Sequence, residues 1–519
     1  DSSSASDISP THHHSMQTRS KSGVTKRKDF ADYECYHTSF LAMPELDEPS
    51  SYRVARYSPE WIIAMQEEIS ALNTQGTWTL VPPPPGVNIV GSKWIYKVKR
   101  NSDGSVSRQL DVKNAFLHGD LEEEVYMKQP QGFEDSTHPQ YVCKLRKSLY
   151  GLKQAPRAWN AKFTGYLPAI GFKASQSDPS LFVKKEGSEI VILLLYVDDI
   201  ILTGSSTSLV QTTIEELSSV FEMKDMGQLT YFLGLQISYL STGSIFVSQQ
   251  KYAKELLAKA GMTTCKACST PCKPHTQVLQ TEGEPLKDPS LYRSIVGTLQ
   301  YLTFTRPDLA YSVNAVCQYM TNPSETHFLL VKRILRYIQG TMEYGITFSP
   351  GDMHLHAYSD ADWAGDPSTR RSTTGFVVFI GSNPVSWQSK KQGSVSRSST
   401  EAEYRALANT AADIAWVRQV LADLHEYLPE PPLLFCDNLS ALALSSNPVQ
   451  HSRIKHLDID FHFIRERVQR RDIMVQYIPT EEQIADVFTK GLYGPVFVTH
   501  CINLRLGIPA EIEGGCLPK

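Results

Sequence analysis

The sequence predicts a mixed α and β protein of about three domains. Three observations carry this. The chain has 519 residues, and a prior of about 150 residues per domain makes a single core too few. Hydrophobic residues make up 41% and charged residues 20%, the balance of an ordinary folded protein, which excludes a wholly disordered chain. Segments of helical period alternate with segments of period two, and a fresh α/β pattern opens at His354.

Residues 1–50 are Ser- and His-rich, then basic, with no sustained period, and read as a flexible lead-in. From Pro59, the residues Trp61, Ile62, Met65, Ile69 and Leu72 recur at helical spacing up to a turn at 73–76. Trp94 to Arg100 alternates as a strand, with Trp94, Tyr96 and Val98 on one face. Leu110 to Phe116 reads as a strand passing into a helix. Ile190 to Val197 and Ile200 to Thr203 read as two β-branched strands joined by a tight hairpin at Asp198-Asp199, followed by an amphipathic helix over 207–222. Residues 251–345 read as mostly helical. Beyond them, strands are expected at Leu355 to Ser359, Gly375 to Ile380, Leu433 to Cys436 and Ile473 to Ile478. Helices are expected at 400–425, 457–469 and 481–491, the last capped by Thr480 with Gln483.

With a net charge of −4, any nucleic-acid binding must come from local basic patches. Nine scattered cysteines, an odd number, argue against a disulfide framework and for a reducing compartment. The longest apolar run, 190–197, falls far short of the roughly 20 residues a spanning helix needs. The N-terminus has no apolar signal-peptide core and does not open with Met, so the chain reads as a non-secreted piece of something longer.

Asp198 and Asp199 sit between two apolar strands, where adjacent carboxylates are costly unless exposed or neutralised. By itself the dipeptide reads as a solvated turn. Asp111 alters that. It ends another short apolar strand, in QLDVKNAFLHG, and strands of one sheet could bring it beside Asp198. Hard oxygen donors so placed suit Mg²⁺, and two such ions can activate a 3′-hydroxyl and stabilise a departing pyrophosphate. Four further acids recur near the C-terminus: Asp360 at a strand end in YSDADWAG, Glu403 on the helix after SRSST, Asp437 at a strand end in LLFCDN, and Asp486 one turn into the last helix. Each alone reads as a surface acid; a site for two Mg²⁺ about 4 Å apart needs several that converge.

At these residues the sequence resembles a known family. Tyr196-Val197-Asp198-Asp199 is similar to the signature of reverse transcriptases, and QLDVKNAFLHGDLEEEVYMKQPQGF and LRKSLYGLKQAPRAWN resemble copia-type LTR retrotransposon Pol polyproteins, from about Tyr52 to Leu492. The acids Asp360, Glu403, Asp437 and Asp486, with TRRSTTGF and SRSSTEAEY, resemble ribonuclease H in such elements. The resemblance implies an α+β right-hand polymerase with fingers, thumb and a ferredoxin-like palm, followed by an α/β ribonuclease H-like domain. Partial fingers would span 51–108, the palm 109–240, the thumb and connection 241–350, the ribonuclease H-like domain 351–492 and a C-terminal tail 493–519. Asp111, Asp198 and Asp199, and separately the four later acids, would be catalytic metal ligands, with two Mg²⁺ or Mn²⁺ ions per site. Phe116 stands where the family places an aromatic that blocks a ribose 2′-hydroxyl. Tyr150, Gly151 and Pro156 match the segment under the template and incoming nucleotide, Tyr150 falling where retroviral enzymes carry Gln. Leu233 and Gly234, in YFLGLQI, resemble the primer-gripping hairpin. The implied partners are an RNA template, a DNA primer, RNA–DNA hybrid and deoxynucleoside triphosphates. The implied location is the cytoplasm, in retroelement particles, with entry to the nucleus.

The family pattern is interrupted once. Family members carry a few dozen residues before the QLDV string, whereas here Ser107-Arg108 runs directly into Gln109-Leu110. The absent piece normally holds basic residues that grip the triphosphate, so the polymerase is expected to be impaired. A ribonuclease H-only remnant and a catalytically dead nucleic-acid-binding relic are the alternatives. Cys265, Cys268, Cys272 and His275 come close to zinc-site spacing but match no zinc pattern. Basic clusters at Lys144, Arg146 and Lys147, at Lys153 and Arg157, at Arg370 and Arg371, at Lys390 and Lys391, and at Arg467, Arg470 and Arg471 are expected to track a nucleic-acid backbone.

Overall fold

The computed structural model describes residues 37–41, 49–99, 108–112, 115–276, 278–446 and 458–510. Most of the expected lead-in and the end of the expected tail lie outside the described residues. The chain forms two compact units, Asp1–Asn101 with Lys113–Leu167, and Ser102–Val112 with Pro168–Lys519.

In the first unit the helix Pro59–Thr74 begins on a proline, whose fixed φ suits a first turn, and buries Trp61, Ala64, Met65 and Leu72. These share a core with Trp94, Tyr96, Met127 and Leu145. Trp61 meets Tyr96 edge-on, ring centroids 5.2 Å apart. A four-stranded sheet runs in the order Trp78–Val81, Val142–Lys147, Asp120–Lys128, Ile89–Val90.

Among the described residues, the second unit holds three sheets. One is six-stranded and antiparallel, in the order Met223–Gln228, Arg108–Val112, Asp199–Gly204, Glu189–Tyr196, Leu181–Glu186, Phe172–Ala174. Alternation along the central hairpin buries Val191, Leu193 and Leu195 together with Ile200 and Leu202. The helix Thr207–Ser218 packs on these two strands and buries Leu209, Val210, Ile214 and Leu217. The strand Arg108–Val112 runs through the Arg108–Gln109 junction and is paired along both edges.

A second sheet joins Tyr231–Phe232, Leu235–Tyr239, Ile245–Ser248, Gly345–Phe348 and Leu506–Gly507. The helical region expected over 251–345 forms as Gln250–Lys259, Ser290–Leu302, Ala310–Cys317 and Glu325–Gly340 around one core. Within it Arg306 is buried and bidentate on Asp308, at 3.0 and 2.7 Å. Its other donors reach the Thr341 carbonyl and hydroxyl, each at 2.8 Å, and the Tyr337 hydroxyl donates to Asp308 at 2.7 Å. Asp308→Ala would strand a buried guanidinium, and should cost about 3 kcal/mol, read as a lower urea midpoint. An unmoved midpoint would count against the pair as a core element.

The third sheet has the order Asn383–Lys391, Thr373–Ile380, Leu355–Ala361, Leu433–Cys436, Met474–Tyr477, antiparallel through the first three strands and parallel through the last two. The helix Ser399–Asp423 covers its centre, burying Tyr404, Leu407 and Ile414 against Leu355, Phe376 and Leu434. This is an α/β arrangement, as the pattern that opens at His354 predicts. Asn383–Lys391 was not among the expected strands; it opens with Asn-Pro and ends in lysines, as an edge strand can.

The helix expected at 481–491 is corrected: the segment is two short 3₁₀ turns, Thr480–Glu482 and Ile484–Phe488. The physical reason is Gln483. Its buried amide donates to the Ser359 carbonyl at 3.0 Å and accepts from the Ala485 amide at 3.2 Å, closing a tight turn where a capping box was expected.

Asp423, ending the long helix, ties the loop before Leu181–Glu186. It accepts from the Ser175 hydroxyl at 2.6 Å, the Ser177 hydroxyl at 2.8 Å and the amides of Gln176 and Ser177 at 3.1 Å. The Ser175 hydroxyl, then Ser177 and Gln419, hold its pKa down at about 2. Because the folded value is depressed, this contribution is present above the ordinary carboxylate range and is lost as pH falls toward 2. Asp423→Ala should therefore flatten the loss of stability between about pH 4 and 2. Superimposable acid-unfolding curves would refute it.

Candidate active sites

The central hairpin of the six-stranded sheet positions the first set of acids. Tyr196 pairs with Asp199, so the two-residue turn is Val197-Asp198 and Asp199 opens the second strand. Val197 has φ 56°, a left-handed conformation that a β-branched residue adopts only when the surroundings impose it. Across the sheet, Asp199 is the register partner of Asp111, and the Val112 amide donates to the Asp198 carbonyl at 3.1 Å. The three aspartate positions thus meet at one end of one sheet. Gln109 donates to the Asp199 carboxylate at 3.1 Å.

Leu233 and Gly234 form the two-residue turn between Tyr231–Phe232 and Leu235–Tyr239, with φ 49° and 81°. The Tyr301 hydroxyl donates to the Leu233 carbonyl. The Phe232 ring lies 6.4 Å from that of Tyr196, so this hairpin adjoins the aspartate hairpin. In the other unit, Phe116 is buried with its ring 4.4 Å from that of Tyr150. Gly151 has φ 87°, and Pro156 lies in the first turn of the helix Ala155–Tyr166.

The second set of acids gathers at one end of the five-stranded sheet. Asp360 is 4% exposed, Glu403 6% and Asp486 7%, with Asp437 partly buried. Asp360 lies on the central strand, Glu403 one turn into the long helix, Asp437 just past Leu433–Cys436, and Asp486 in the 3₁₀ turn. Burial first, then the carboxylates of Asp360 and Asp437, push the Glu403 pKa up to about 10. Burial and Asp360 push Asp486 up to about 7 against the pull of Lys490. Lys490 pairs with Asp486 at 2.7 Å and lies 3.7 Å from Asp360. Burial opposes its charge, but Asp360 and Asp486 outweigh burial and raise its pKa. Hydroxyl donors complete the site: Thr489 to Asp360, and Thr480 to Asp437 at 2.9 Å.

Ligand atoms of Glu403, Cys436 and Asp437 lie within 4.8 Å of one another, the one such group among the described residues; the cysteines at 265, 268 and 272 and His275 form none. The Cys436 thiol, 4.0 Å from Glu403, is held protonated by burial, so the hard carboxylate oxygens define the donor set. Buried carboxylates that repel one another fit a divalent cation. Among the basic clusters, Lys144 pairs with Glu124, Lys391 with Asp366, and Arg470 lies 3.7 Å from Glu466.

Residues 101–274 match the family model described as reverse transcriptase (RNA-dependent DNA polymerase). The retrovirus-related Pol polyprotein from transposon RE1 of Arabidopsis thaliana is 44% identical over 536 residues, covering 94% of this chain and 36% of that protein. The putative transposon Ty5-1 protein YCL074W of Saccharomyces cerevisiae is 33% identical, and this chain covers 100% of it. The chain belongs to the copia-type retrotransposon Pol family. This Pol-family chain spans about a third of the length of RE1 and of its Arabidopsis relative RE2, 36% in each case. The RE1 alignment is longer than the whole chain although it covers 94% of it, so RE1 carries residues that this chain lacks. Among solved structures, LC11 ribonuclease H1 matches 26% of this chain and 93% of its own, at 20% identity and TM-score 0.21. No helix among the described residues is long and apolar enough to cross a membrane.

Sequence reading missed Lys490, Thr489, Thr480 and Gln483 as parts of this Pol-family site. One signal was available: Asp486 and Lys490 are four residues apart, a spacing at which opposite charges meet on one helical turn.

Proposed function

We propose that this chain is the RNA-directed DNA polymerase and ribonuclease H portion of a copia-type element, with its nuclease site whole and its polymerase impaired by the residues missing between Arg108 and Gln109. In this reading 51–108 is the remaining fingers, 109–240 the palm, 241–350 the thumb and connection, 351–492 the nuclease and 493–519 a tail. The substrates are an RNA template with a DNA primer, deoxynucleoside triphosphates, and the resulting RNA–DNA hybrid. The setting is the cytoplasm, in retroelement particles, with entry to the nucleus.

The observation that carries the reading is the meeting of Asp360, Glu403, Asp437 and Asp486 at one sheet end, where burial and then the neighbouring carboxylates raise the pKa values of Glu403 and Asp486. These four would hold two Mg²⁺ or Mn²⁺ ions, which when bound activate a water and stabilise the leaving 3′-oxygen. The chain's own part is positioning. Thr489 and Thr480 fix the Asp360 and Asp437 carboxylates, and Gln483 pins the Asp486 turn to the central strand. Lys490 offsets part of the negative charge of Asp360 and Asp486. Glu403 must lose its proton before it can ligate, so ion binding should release protons and tighten as pH rises. In the polymerase site Asp111, Asp198 and Asp199 would hold the ions, Phe116 would exclude a ribose 2′-hydroxyl, and Leu233-Gly234 would seat the primer.

Paired assays on the full chain test the reading: cleavage of RNA in a hybrid, and primer extension, each with Mg²⁺. Cleavage with feeble extension is expected; absence of cleavage would overturn the reading. Binding should also register as stability. Mg²⁺ at about a hundred times its Kd should add about 2.7 kcal/mol, and Glu403→Gln should remove most of that gain. A variant that gains as much as the unaltered chain would exclude Glu403 as a ligand.

A further inference from the structure

Trp363 follows the nuclease carboxylate Asp360 by three residues and is 55% exposed. A large aromatic left in water three residues from one of the four gathered carboxylates asks for an occupant, provided it is held in place. It is held from two sides. Its indole N–H donates to the Ser396 carbonyl at 3.1 Å, in the loop that leads into the helix bearing Glu403. Its own loop is braced by Asp362, whose carboxylate accepts from the Thr373 amide, and by the Ala364 amide, which donates to the Ser372 hydroxyl at 3.0 Å. Ala364 has φ 55°, a backbone turn that those bonds impose. Ser396 is buried, while Val395 and Arg397 on either side of it are exposed. The ring therefore bridges the loop after the Asp360 strand and the loop before the Glu403 helix, where the exposed Val395 and Arg397 flank Ser396 in sequence.

We propose that Trp363 is a preformed substrate contact of the nuclease site: its ring packs on the sugar face of one strand of the bound hybrid, and Arg397 meets that strand's phosphate. The inference rests on the nuclease reading. In a hybrid duplex the bases are stacked inward and sugars line the minor groove, so an exposed ring at the cleft meets sugar C–H surface. A ring fixed before binding loses little freedom on binding, so the contact adds to affinity without altering the chemical step.

The test is hybrid cleavage by the full chain, with KM and kcat resolved. Trp363→Ala should raise KM about tenfold and leave kcat within about twofold, since covering about 50 Å² of apolar ring on a sugar face corresponds to roughly that factor. Trp363→Phe keeps a ring and should stay within about threefold of the original KM. Arg397→Gln should reduce the slope of log affinity against log salt by about one phosphate contact. Should Trp363→Ala fail to fold, Trp363→Gln, which retains a donor for the Ser396 carbonyl, replaces it with the same tenfold rise expected. An unmoved KM in the ring-deleted variant would overturn this inference alone. An equal rise in Trp363→Phe would also overturn it, showing that the N–H tether matters and the ring does not. No cleavage by the unaltered chain would overturn the nuclease reading and this inference with it.

Discussion

Asp437→Asn is expected to abolish cleavage of the RNA strand in a hybrid, lowering kcat by about a thousandfold or more, while the unfolding midpoint stays level or rises. The two halves of this expectation have one cause. Asp437 is among the carboxylates that crowd Glu403 and push its pKa up. Without bound ions, that crowding is repulsion, and replacing one carboxylate by an isosteric amide relieves it. The amide oxygen can still accept from the Thr480 hydroxyl, so the local bonding survives. With ions bound, the same charge is what the site requires, and a thousandfold loss corresponds to about 4 kcal/mol of transition-state stabilisation. A variant that is merely unfolded would lose its cooperative transition; a site variant keeps it and loses the rate. Full activity in Asp437→Asn would show that the acids were misassigned.

What could be read from the sequence follows the strength of its periodicities. The aspartate hairpin was legible because Ile190 to Val197 and Ile200 to Thr203 are apolar, β-branched runs; the structure then buries alternate residues Val191, Leu193 and Leu195, which fixes the register. The turn inside it was placed one residue late, because a β-branched Val197 in the left-handed region is the opposite of what turn statistics favour. The hairpin Asp120–Lys128 with Val142–Lys147 carried no such pattern, since the acidic run Glu122, Glu123 and Glu124 lies on exposed strand. The four acids proposed for the nuclease were read as an ordered set, Asp360 at a strand end, Glu403 on a helix, Asp437 at a strand end and Asp486 on a last helix that the structure replaces by a 3₁₀ turn. Their supports were not, because Gln483 acts through a contact 124 residues away in sequence, to Ser359, and no local pattern encodes that. Trp363 was likewise silent: only burial separates an aromatic in the core from one held in solvent.

Restoring the family's missing segment between Arg108 and Gln109 should raise primer extension by about a thousandfold. The argument turns on what the junction leaves intact. The strand Arg108–Val112 is continuous across it and paired with both Asp199–Gly204 and Met223–Gln228, and Asp111 keeps its place opposite Asp199. The polymerase defect should therefore lie in holding the incoming nucleotide, while the aspartate end of the sheet persists. Phosphoryl transfer depends almost wholly on positioning and charge, so a site with its acids but without its cationic grip has lost the part that binds the triphosphate. Each charge-assisted contact to a phosphate is worth about 1.5–3 kcal/mol, and two or three such losses come to roughly a thousandfold at about 1.4 kcal/mol per factor of ten. The deciding measurement is single-nucleotide incorporation with Mg²⁺ by the chain as it stands and by the restored chain, resolved into KM for the nucleotide and kcat. The gain should fall mainly on KM, and hybrid cleavage, which uses other residues, should be the same in both. Equal incorporation by the two chains would refute the idea that the gap disables the polymerase, and a gain confined to kcat would move the defect from the triphosphate grip to the aspartates themselves.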